Sequence, residues 1–282
     1  MSDEVNTQQN GLKPFSTMQL LNFCLGFFGL QFAWQMRIIL SGPVTEALGA
    51  SPFIYGLIWL AGPFTGMVVQ PIIGILSDKT KSIFGRRRPY LLGGAIIASI
   101  ALWLFPNSGN ISNILTNITG INMPVWMGLF IAAVMIWIID ACINIAQGPY
   151  RALIPDVVPQ EQHSLANSYI SLAIGLGSVV AAGVAPFLKY VCKYDMPTVW
   201  QFVMAALTFT LAMLWTCLTI KERSTANDKT ETTEEKSESF WQSLKNFFAF
   251  SPEVPKICLM QFFTWIGMMC LLIYFTNFAI HT

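Results

Sequence analysis

Seven long apolar runs constrain the fold of this chain more than any other feature of its sequence. They cover residues 17–40, 53–76, 90–106, 124–147, 166–189, 198–220 and 254–279. A helix of about 20 residues crosses the hydrocarbon core of a bilayer, so each run is long enough to span it. Within lipid, only a helix satisfies the backbone hydrogen bonds of such a segment internally. The sequence therefore predicts an all-α integral membrane protein.

The composition agrees with this fold class and excludes others. Of the 282 residues, 54% are hydrophobic and 11% are charged, which excludes a disordered chain and argues against a soluble domain. The six cysteines and two histidines lack metal-ligand spacing, so we expect no metal and no cofactor. No nucleophile, base and orienting group occur together, so we expect no enzyme. The expected surroundings are a lipid bilayer, with no nucleic-acid partner.

The positive charges predict which side of the membrane each loop occupies. The sequence has 16 Lys and Arg residues. If the N-terminus is cytoplasmic, Lys189 and Lys193 lie on the outer side of the membrane, and Arg37 lies within an apolar run. The other thirteen then lie on the cytoplasmic side, as the positive-inside rule requires. Residues 107–123 become the largest outer loop, in which Asn110 and Asn117 begin N-x-[ST] triplets, and glycosylation there stays undecided.

The runs divide the chain into four parts. We predict a cytoplasmic tail at 1–16, a six-helix half at 17–220, a linker at 221–252 and one further helix at 253–282. The linker is polar from Ser224 to Ser239, and apolar residues at helical spacing then predict an amphipathic helix on the membrane surface. Because the chain ends just after its seventh run, we expect a fragment of a longer protein.

Asp140 is an acid in a place where the solvent is lipid. No other charged residue lies between Met123 and Arg151. A carboxylate at the centre of a span costs about 2.5–3.5 kcal/mol on insertion scales, so such residues face a bundle interior or a wet cavity. We interpret Asp140 as a functional group that binds and releases a proton. The alternative is an acid whose partners are purely structural.

The first run carries polar groups suited to a sugar. Gln31 and Gln35 offer amides, and Trp34 offers a ring on which a sugar could stack. The alternative for Trp34 is an anchor at the membrane surface. Small residues elsewhere predict close helix packing, although Gly175 and Gly177 could instead mark a flexible point.

The loop after the second run has the order of parts expected of a cytoplasmic gate. We expect a glycine for close helix contact, an acid that ends the helix, a glycine turn and three arginines that pair with an acid across a movable interface. These residues are Gly74, Asp78, Gly85, Arg86, Arg87 and Arg88. The simpler alternative is that the arginines contact anionic lipid headgroups.

This loop resembles the cytoplasmic signature of the major facilitator superfamily, with extra residues before the second glycine. Together with QFAW at 31–34, P-x-x-x-x-L-G at 43–49 and WIIDACINIAQGPYRALIPD at 137–156, it resembles the sucrose transporters and related glycoside–pentoside–hexuronide cation symporters. The resemblance implies a bundle of twelve helices in two halves, and a protein that couples sugar uptake to protons. It assigns the proton site to Asp140, and Asn144, Arg151 and Asp156 match the motif that follows.

Arg37 departs from this resemblance, since an amide is usual there. Three interpretations stay open: it binds an acidic sugar, it pairs with Asp140, or it extends to the outer membrane surface. A direct pair is disfavoured by axial position, because Arg37 lies about 10 Å outward of the centre of its run at 1.5 Å per residue. Asp140 lies slightly inward of the centre of its own run.

We therefore expect a multi-pass protein of the cell membrane that is a proton-coupled symporter for a glucoside such as sucrose or maltose. Gln31, Trp34, Gln35, Arg37 and Asn144 are the candidate sugar contacts, and Arg151 and Asp156 join the cytoplasmic gate. The partner is a small sugar, together with the C-terminal half that the sequence lacks. The alternatives are a symporter for hexuronides or other anions, sodium coupling, and, more remotely, a seven-helix receptor.

Overall fold

The computed structural model describes residues 13–220 and Glu222, and further along the chain residues 253, 255–257, 259–261, 263–268 and 271. The chain divides into two compact units, Met1–Asn227 and Asp228–Thr282. The described part of the first unit consists of helices joined by short connections, with no strand in it. In the second unit, the described residues between 253 and 271 are helical.

Six segments of the first unit are long and apolar enough to cross a membrane. Span 1 is α1, Thr17–Ala47; span 2 is α2, Pro52–Trp59, followed after Leu60 by α3, Ala61–Lys79. Span 3 is α4, Arg88–Leu104, a 3-10 turn at Phe105–Asn107 and α5, Ser108–Thr119. Span 4 is α6, Met127–Val157; span 5 is a 3-10 turn at Gln160–Gln162 and α7, His163–Tyr190; span 6 is α8, Thr198–Thr219. The predicted membrane bundle is confirmed for these six spans.

The other predicted segments fall largely outside the described residues. Of the linker predicted at 221–252, with its amphipathic helix, only Glu222 is described. The seventh helix, predicted at 253–282, is described in part, and there the Nζ atom of Lys256 lies 2.9 Å from Oε1 of Glu253. The division of the chain into these parts stays a prediction.

Local sequence signals explain where several helices begin and end. The hydroxyl of Ser16 accepts from the backbone N–H of Gln19, whose side chain bonds back to Ser16, which makes a capping box at the start of α1. Ser51 caps α2 by accepting from the backbone N–H of Ile54, and it is followed by Pro52, which suits the first turn of a helix. Gly120, with a φ of +69°, ends α5 in a left-handed conformation.

Two expected boundaries are wrong. Helix α1 continues to Ala47, past the end of the apolar run at residue 40, because a helix can extend through polar residues that pack on neighbours. The outer loop expected at 107–123 is mostly helix α5, which packs on α6. Its Ile111, Ile114, Leu115 and Ile118 have helical spacing, a signal that the polar residues between them obscured.

The helices pack in an order different from their order in the chain. The most extensive contacts join α7 to α1, α1 to α8, α8 to α4, α4 to α6, and α6 to α3. Spans 2 and 5 lie at the two ends of this order and are the most exposed, with 22% and 17% of their apolar windows buried. Span 1 is 56% buried, and its buried residues include the polar Arg37, Ser41 and Thr45.

Glycine supports close packing at some of the expected positions only. A Cβ atom on Gly94 would lie 2.7 Å from the backbone oxygen of Cys142, and one on Gly177 would lie 2.8 Å from that of Phe28. Gly94 and Gly177 therefore let helix backbones approach each other. A Cβ atom on Gly93 or Gly175 would meet no described atom within 4 Å.

Candidate functional site

The centre of the bundle holds a buried ion pair between Arg37 on α1 and Asp140 on α6. A terminal nitrogen of Arg37 donates to Oδ2 of Asp140. The side chains are 2% and 1% exposed. The guanidinium also lies over the ring of Trp59, with Cζ 4.8 Å from the ring centroid, which is cation–π geometry. The negative charge of Asp140 is thus balanced by a positive charge from the protein itself.

The axial argument against this pair is wrong, and so is the alternative in which Arg37 extends to the membrane surface, because its side chain is buried. Because α1 reaches Ala47, Arg37 lies ten residues from that end of the helix, about 15 Å at 1.5 Å per residue. Asp140 is 13 residues from the end of α6 at Met127, which is about 20 Å. A side chain as long as arginine covers that difference.

Asn144, one turn along α6 from Asp140, is held by a short chain of hydrogen bonds. Its amide nitrogen donates to Thr65 Oγ1 at 3.1 Å and to the backbone oxygen of Asp140 at 2.9 Å. Gln70 on α3 donates to Asn144 Oδ1 at 2.6 Å. Sequence reasoning missed Thr65 and Gln70, although polar residues one or two turns apart in an apolar run were a usable signal.

Small residues on α3 make room for these polar groups. A Cβ atom on Gly62 would lie 3.6 Å from Asp140 Oδ2, and one on Gly66 would lie 3.7 Å from Asn144 Oδ1. Gly62 and Gly66 therefore let α3 pass close to the polar face of α6. The G-x-x-x-G spacing serves the site as well as the packing.

The other candidate sugar contacts are not all in one place. The amide of Gln31 donates to Ser178 Oγ on α7 at 3.0 Å. Trp34 and Gln35 are half-buried, and Gln35 makes no side-chain hydrogen bond to the part of the chain that is described. The structure thus brings Arg37, Asp140 and Asn144 together, whereas Gln31 is engaged with α7.

A second charged cluster lies where α3, α4 and α6 meet, on the side predicted to be cytoplasmic. Arg87 pairs with Asp78 at 2.9 Å and, through Nε, with Asp156. Arg86 pairs with Asp156 at 2.7 Å. Arg87 also lies 3.3 Å from Ser77 Oγ. These pairs join the three helices through charge-assisted hydrogen bonds.

The environment of Arg86 favours its charged form. Burial opposes the charge, but the hydrogen bond and the negative charge of Asp156, helped by Asp78 and Glu222, raise the pKa of Arg86 above its ordinary value. Asp156 is 16% exposed and Asp78 is 56% exposed, so Asp156 is the better-shielded anion of the cluster.

Three of the residues predicted for this gate lie elsewhere or do something else. Arg151 makes no ion pair with the described residues, and its guanidinium lies over the ring of Phe27 at 5.5 Å. A Cβ atom on Gly74 would have no described atom within 4 Å, so close helix contact does not explain this glycine. Arg88 donates to the backbone oxygen of Phe84 at 3.3 Å and does not contact Asp156.

Glu222, which follows α8, supplies the missing cap at the start of α4. The residue before α4, Arg87, offers no capping side chain. Glu222 instead accepts from the backbone N–H of Arg87 at 3.0 Å and from that of Arg88 at 3.3 Å. A negative charge beside the first N–H groups of a helix stabilises it. The signal for this contact was the uncapped start of α4, but the partner could not be read from the sequence.

Gly85 allows that approach in two ways. Its φ of +94° is in the left-handed region that favours glycine, as expected for the turn. A Cβ atom there would also collide with the Glu222 side chain, 2.6 Å from Cδ. The turn residue of the loop thus leaves space for an acid from the segment that follows α8.

These features define a multi-pass α-helical membrane protein with a buried ion pair in its bundle and a charged cluster at one end. The chain belongs to the MFS/sugar transport protein family, whose model matches residues 26–281. This assignment favours a transporter over the receptor alternative.

Three proteins with similar sequences are, by their names, an alpha-glucoside permease and two sucrose transport proteins. The chain is 28% identical over 269 residues to a general alpha-glucoside permease of Schizosaccharomyces pombe, which covers 94% of this chain and 48% of that protein. It is 35% identical over 173 residues to a sucrose transport protein of Arabidopsis thaliana, covering 60% of this chain and 29% of that one. A sucrose transport protein of Oryza sativa subsp. japonica is 26% identical over 286 residues, with 94% and 53% covered. The chain thus spans about half the length of the relatives that it matches along most of its own length.

Proposed function

We propose that the complete protein carries a neutral sugar of the sucrose or maltose type across the cell membrane together with a proton, with its N-terminus in the cytoplasm. The family, the names of the similar proteins and the distribution of Lys and Arg support this proposal. Transport proceeds by alternating access, in which the bundle opens first to one side and then to the other.

The observation that carries the proposal is the ion pair of Asp140 with Arg37 inside the membrane. A proton from outside neutralises Asp140 and removes the attraction that joins α1 to α6. Release of the proton inside restores the carboxylate, which again binds Arg37. Proton binding is thereby tied to a contact between two helices, and that is what a coupling site requires.

The cluster of Asp78, Arg86, Arg87 and Asp156 closes the cytoplasmic side in this cycle. Its pairs join α3, α4 and α6, so these helices cannot separate until the pairs break. Opening towards the cytoplasm would expose the charges to water, which makes their separation less costly.

Uptake of labelled sugar tests the proposal. Cells that express the complete protein should accumulate sucrose or maltose against its gradient when an inward proton gradient is imposed. Asp140→Asn should abolish accumulation but leave exchange of labelled for unlabelled sugar. Asp195→Asn, which removes an exposed acid paired with Lys189 at 3.4 Å, is the matched control. If Asp140→Asn still accumulates sugar, Asp140 is not the coupling site.

An anionic solute such as a hexuronide is the second candidate, since protonation of Asp140 leaves the positive charge of Arg37 without its partner. A carboxylate could then pair with the guanidinium. Glucuronate should compete with sucrose uptake in this case, and Arg37→Gln should remove the competition. Replacement of the proton gradient by a sodium gradient distinguishes the two coupling ions in the same assay.

A further inference from the structure

Unpartnered polar atoms gather around the ion pair. Among the described residues, five buried side-chain nitrogen or oxygen atoms have no hydrogen-bond partner. Three of the five belong to neighbouring residues: Nε of Arg37, Nε1 of Trp59 and Oδ1 of Asp140. The residues are 2%, 6% and 1% exposed. The site therefore contains more hydrogen-bonding capacity than the protein itself uses.

The three residues are in mutual contact through Arg37. Its guanidinium pairs with one oxygen of Asp140 and lies over the ring of Trp59, with Cζ 4.8 Å from the ring centroid. Nε is bonded to Cζ, and Nε1 is part of the Trp59 ring. The unpartnered atoms thus belong to one group of contacting side chains, which the three helices α1, α2 and α6 contribute.

Their chemistry is that of a site for hydroxyl groups. The two nitrogens donate only, and the carboxylate oxygen accepts. A hydroxyl group both donates and accepts, so adjacent hydroxyls of a sugar ring can satisfy all three atoms. A buried polar atom left without a partner is unfavourable, so three such atoms on contacting residues favour binding of a polar ligand.

We propose that Arg37, Trp59 and Asp140 form a binding site for adjacent hydroxyl groups of the transported sugar. Asp140 Oδ1 accepts from one hydroxyl, while the N–H groups of Arg37 and Trp59 donate to the same hydroxyl or its neighbour. This inference rests on the proposed function and assigns the ring contact to Trp59, whereas the sequence suggested Trp34. The ion pair with Arg37 stays intact through Oδ2 until Asp140 is protonated.

Access to this site requires movement of α2. Trp59 is the last residue of that helix, and Leu60 separates it from α3. Tyr55, one turn before Trp59, lies with its hydroxyl 3.2 Å from Ser41 Oγ on α1. Because α2 has only eight residues and a break behind it, displacement of α2 would uncover the three atoms without unfolding a long helix.

Trp59→Phe is the informative variant, since it keeps an aromatic ring beneath Arg37 and removes the N–H donor together with one of the two indole rings. We expect the KM for sucrose or maltose to rise about three- to tenfold, the loss of one hydrogen bond, with proton-driven accumulation retained. With the wild-type protein, one monodeoxy analogue of the sugar should have a KM that is higher than that of the parent sugar by a similar factor. With Trp59→Phe, the KM of that analogue should be no higher than the KM of the parent sugar.

Trp200→Phe, at a tryptophan that is 60% exposed and outside the site, is the matched control and should leave both the KM and the analogue profile unchanged. The proposal is overturned if Trp59→Phe has the wild-type KM and analogue profile, or if Trp34→Phe produces the effect instead. Absence of sugar uptake by wild type would contradict the proposed function. In that case, the binding site is tested by the rise in unfolding temperature of the purified protein with sucrose, maltose or glucuronate. A rise for wild type that is smaller for Trp59→Phe supports the site. An equal rise for both proteins, or no rise, overturns it.

Discussion

Arg37 donates a hydrogen bond to Asp140 across the α1–α6 interface, although the two residues are 103 positions apart in the chain. The pair neutralises an acid that lipid would otherwise disfavour, so neither residue needs to reach water. The same contact ties the charge state of Asp140 to the packing of two helices. Its energetic and functional roles can be separated by mutation.

Removal of one member of this pair should destabilise the protein more than removal of both. Arg37→Gln or Asp140→Asn leaves a buried charge without its partner, which costs about 3–5 kcal/mol, whereas the double variant leaves two neutral amides. Thermal unfolding of the purified protein in detergent measures the difference. Lys189→Gln, at an exposed pair, should change stability by less than about 0.5 kcal/mol. A double variant as unstable as the sum of the singles would contradict the interpretation.

Asp156→Asn should loosen the end of the bundle that holds the charged cluster of Asp78, Arg86, Arg87 and Asp156. Arg86 and Arg87 both lose their shared anion, and a destabilisation of about 1–3 kcal/mol is expected. Ser77→Cys, at a buried position beside Arg87, should then react faster with a membrane-impermeant thiol reagent. Asp78→Asn, at the more exposed acid, should have the smaller effect. Equal reactivity in both variants would show that Asp156 is not the main contact.

Glu222→Ala should destabilise the start of α4 by about 0.5–2 kcal/mol, the usual effect of a lost helix cap. The change should appear as faster hydrogen exchange of the backbone N–H groups of Arg87 and Arg88. Glu46→Ala, at an exposed acid in α1, serves as the control and should leave that exchange unaltered. Unchanged exchange in Glu222→Ala would exclude the cap.

Gly94→Ala should be more harmful than Gly93→Ala, although the two glycines are adjacent. The added methyl at Gly94 meets the backbone of α6, which cannot move away as a flexible side chain could, and overpacking costs about 1–3 kcal/mol. At Gly93 the methyl meets no described atom, and the better helix propensity of alanine should make the change neutral or stabilising. Thermal unfolding compares the two, and equal effects would contradict the packing found here.

Gly177→Ala and Gly175→Ala form a second comparison in α7. The methyl at Gly177 meets the backbone of α1 at Phe28, whereas the methyl at Gly175 meets no described atom. We expect a loss of stability in the first variant only. A loss of transport without a loss of stability in Gly175→Ala would favour the flexible point that the sequence left open.

Much of the fold follows from the sequence, because lipid imposes one strong rule on any chain that crosses it. Apolar runs of about 20 residues must be helical there, and this rule places six spans without knowledge of their contacts. It fails where residues are polar but helical, as at Ser108–Thr119 and at the C-terminal end of α1. Polar residues at those ends pack on neighbours, and hydropathy carries no information about neighbours.

The sequence by itself determined that Asp140 is an unusual acid inside a membrane and that the loop from Gly74 to Pro89 carries paired charges. Only the tertiary structure decided which cation Asp140 faces, that Trp59 lies beside that cation, and that Glu222 caps α4. The physical reason is that insertion into lipid depends on each segment alone, whereas an ion pair depends on the axial offset and rotation of two helices. Those quantities are fixed by packing along the whole bundle.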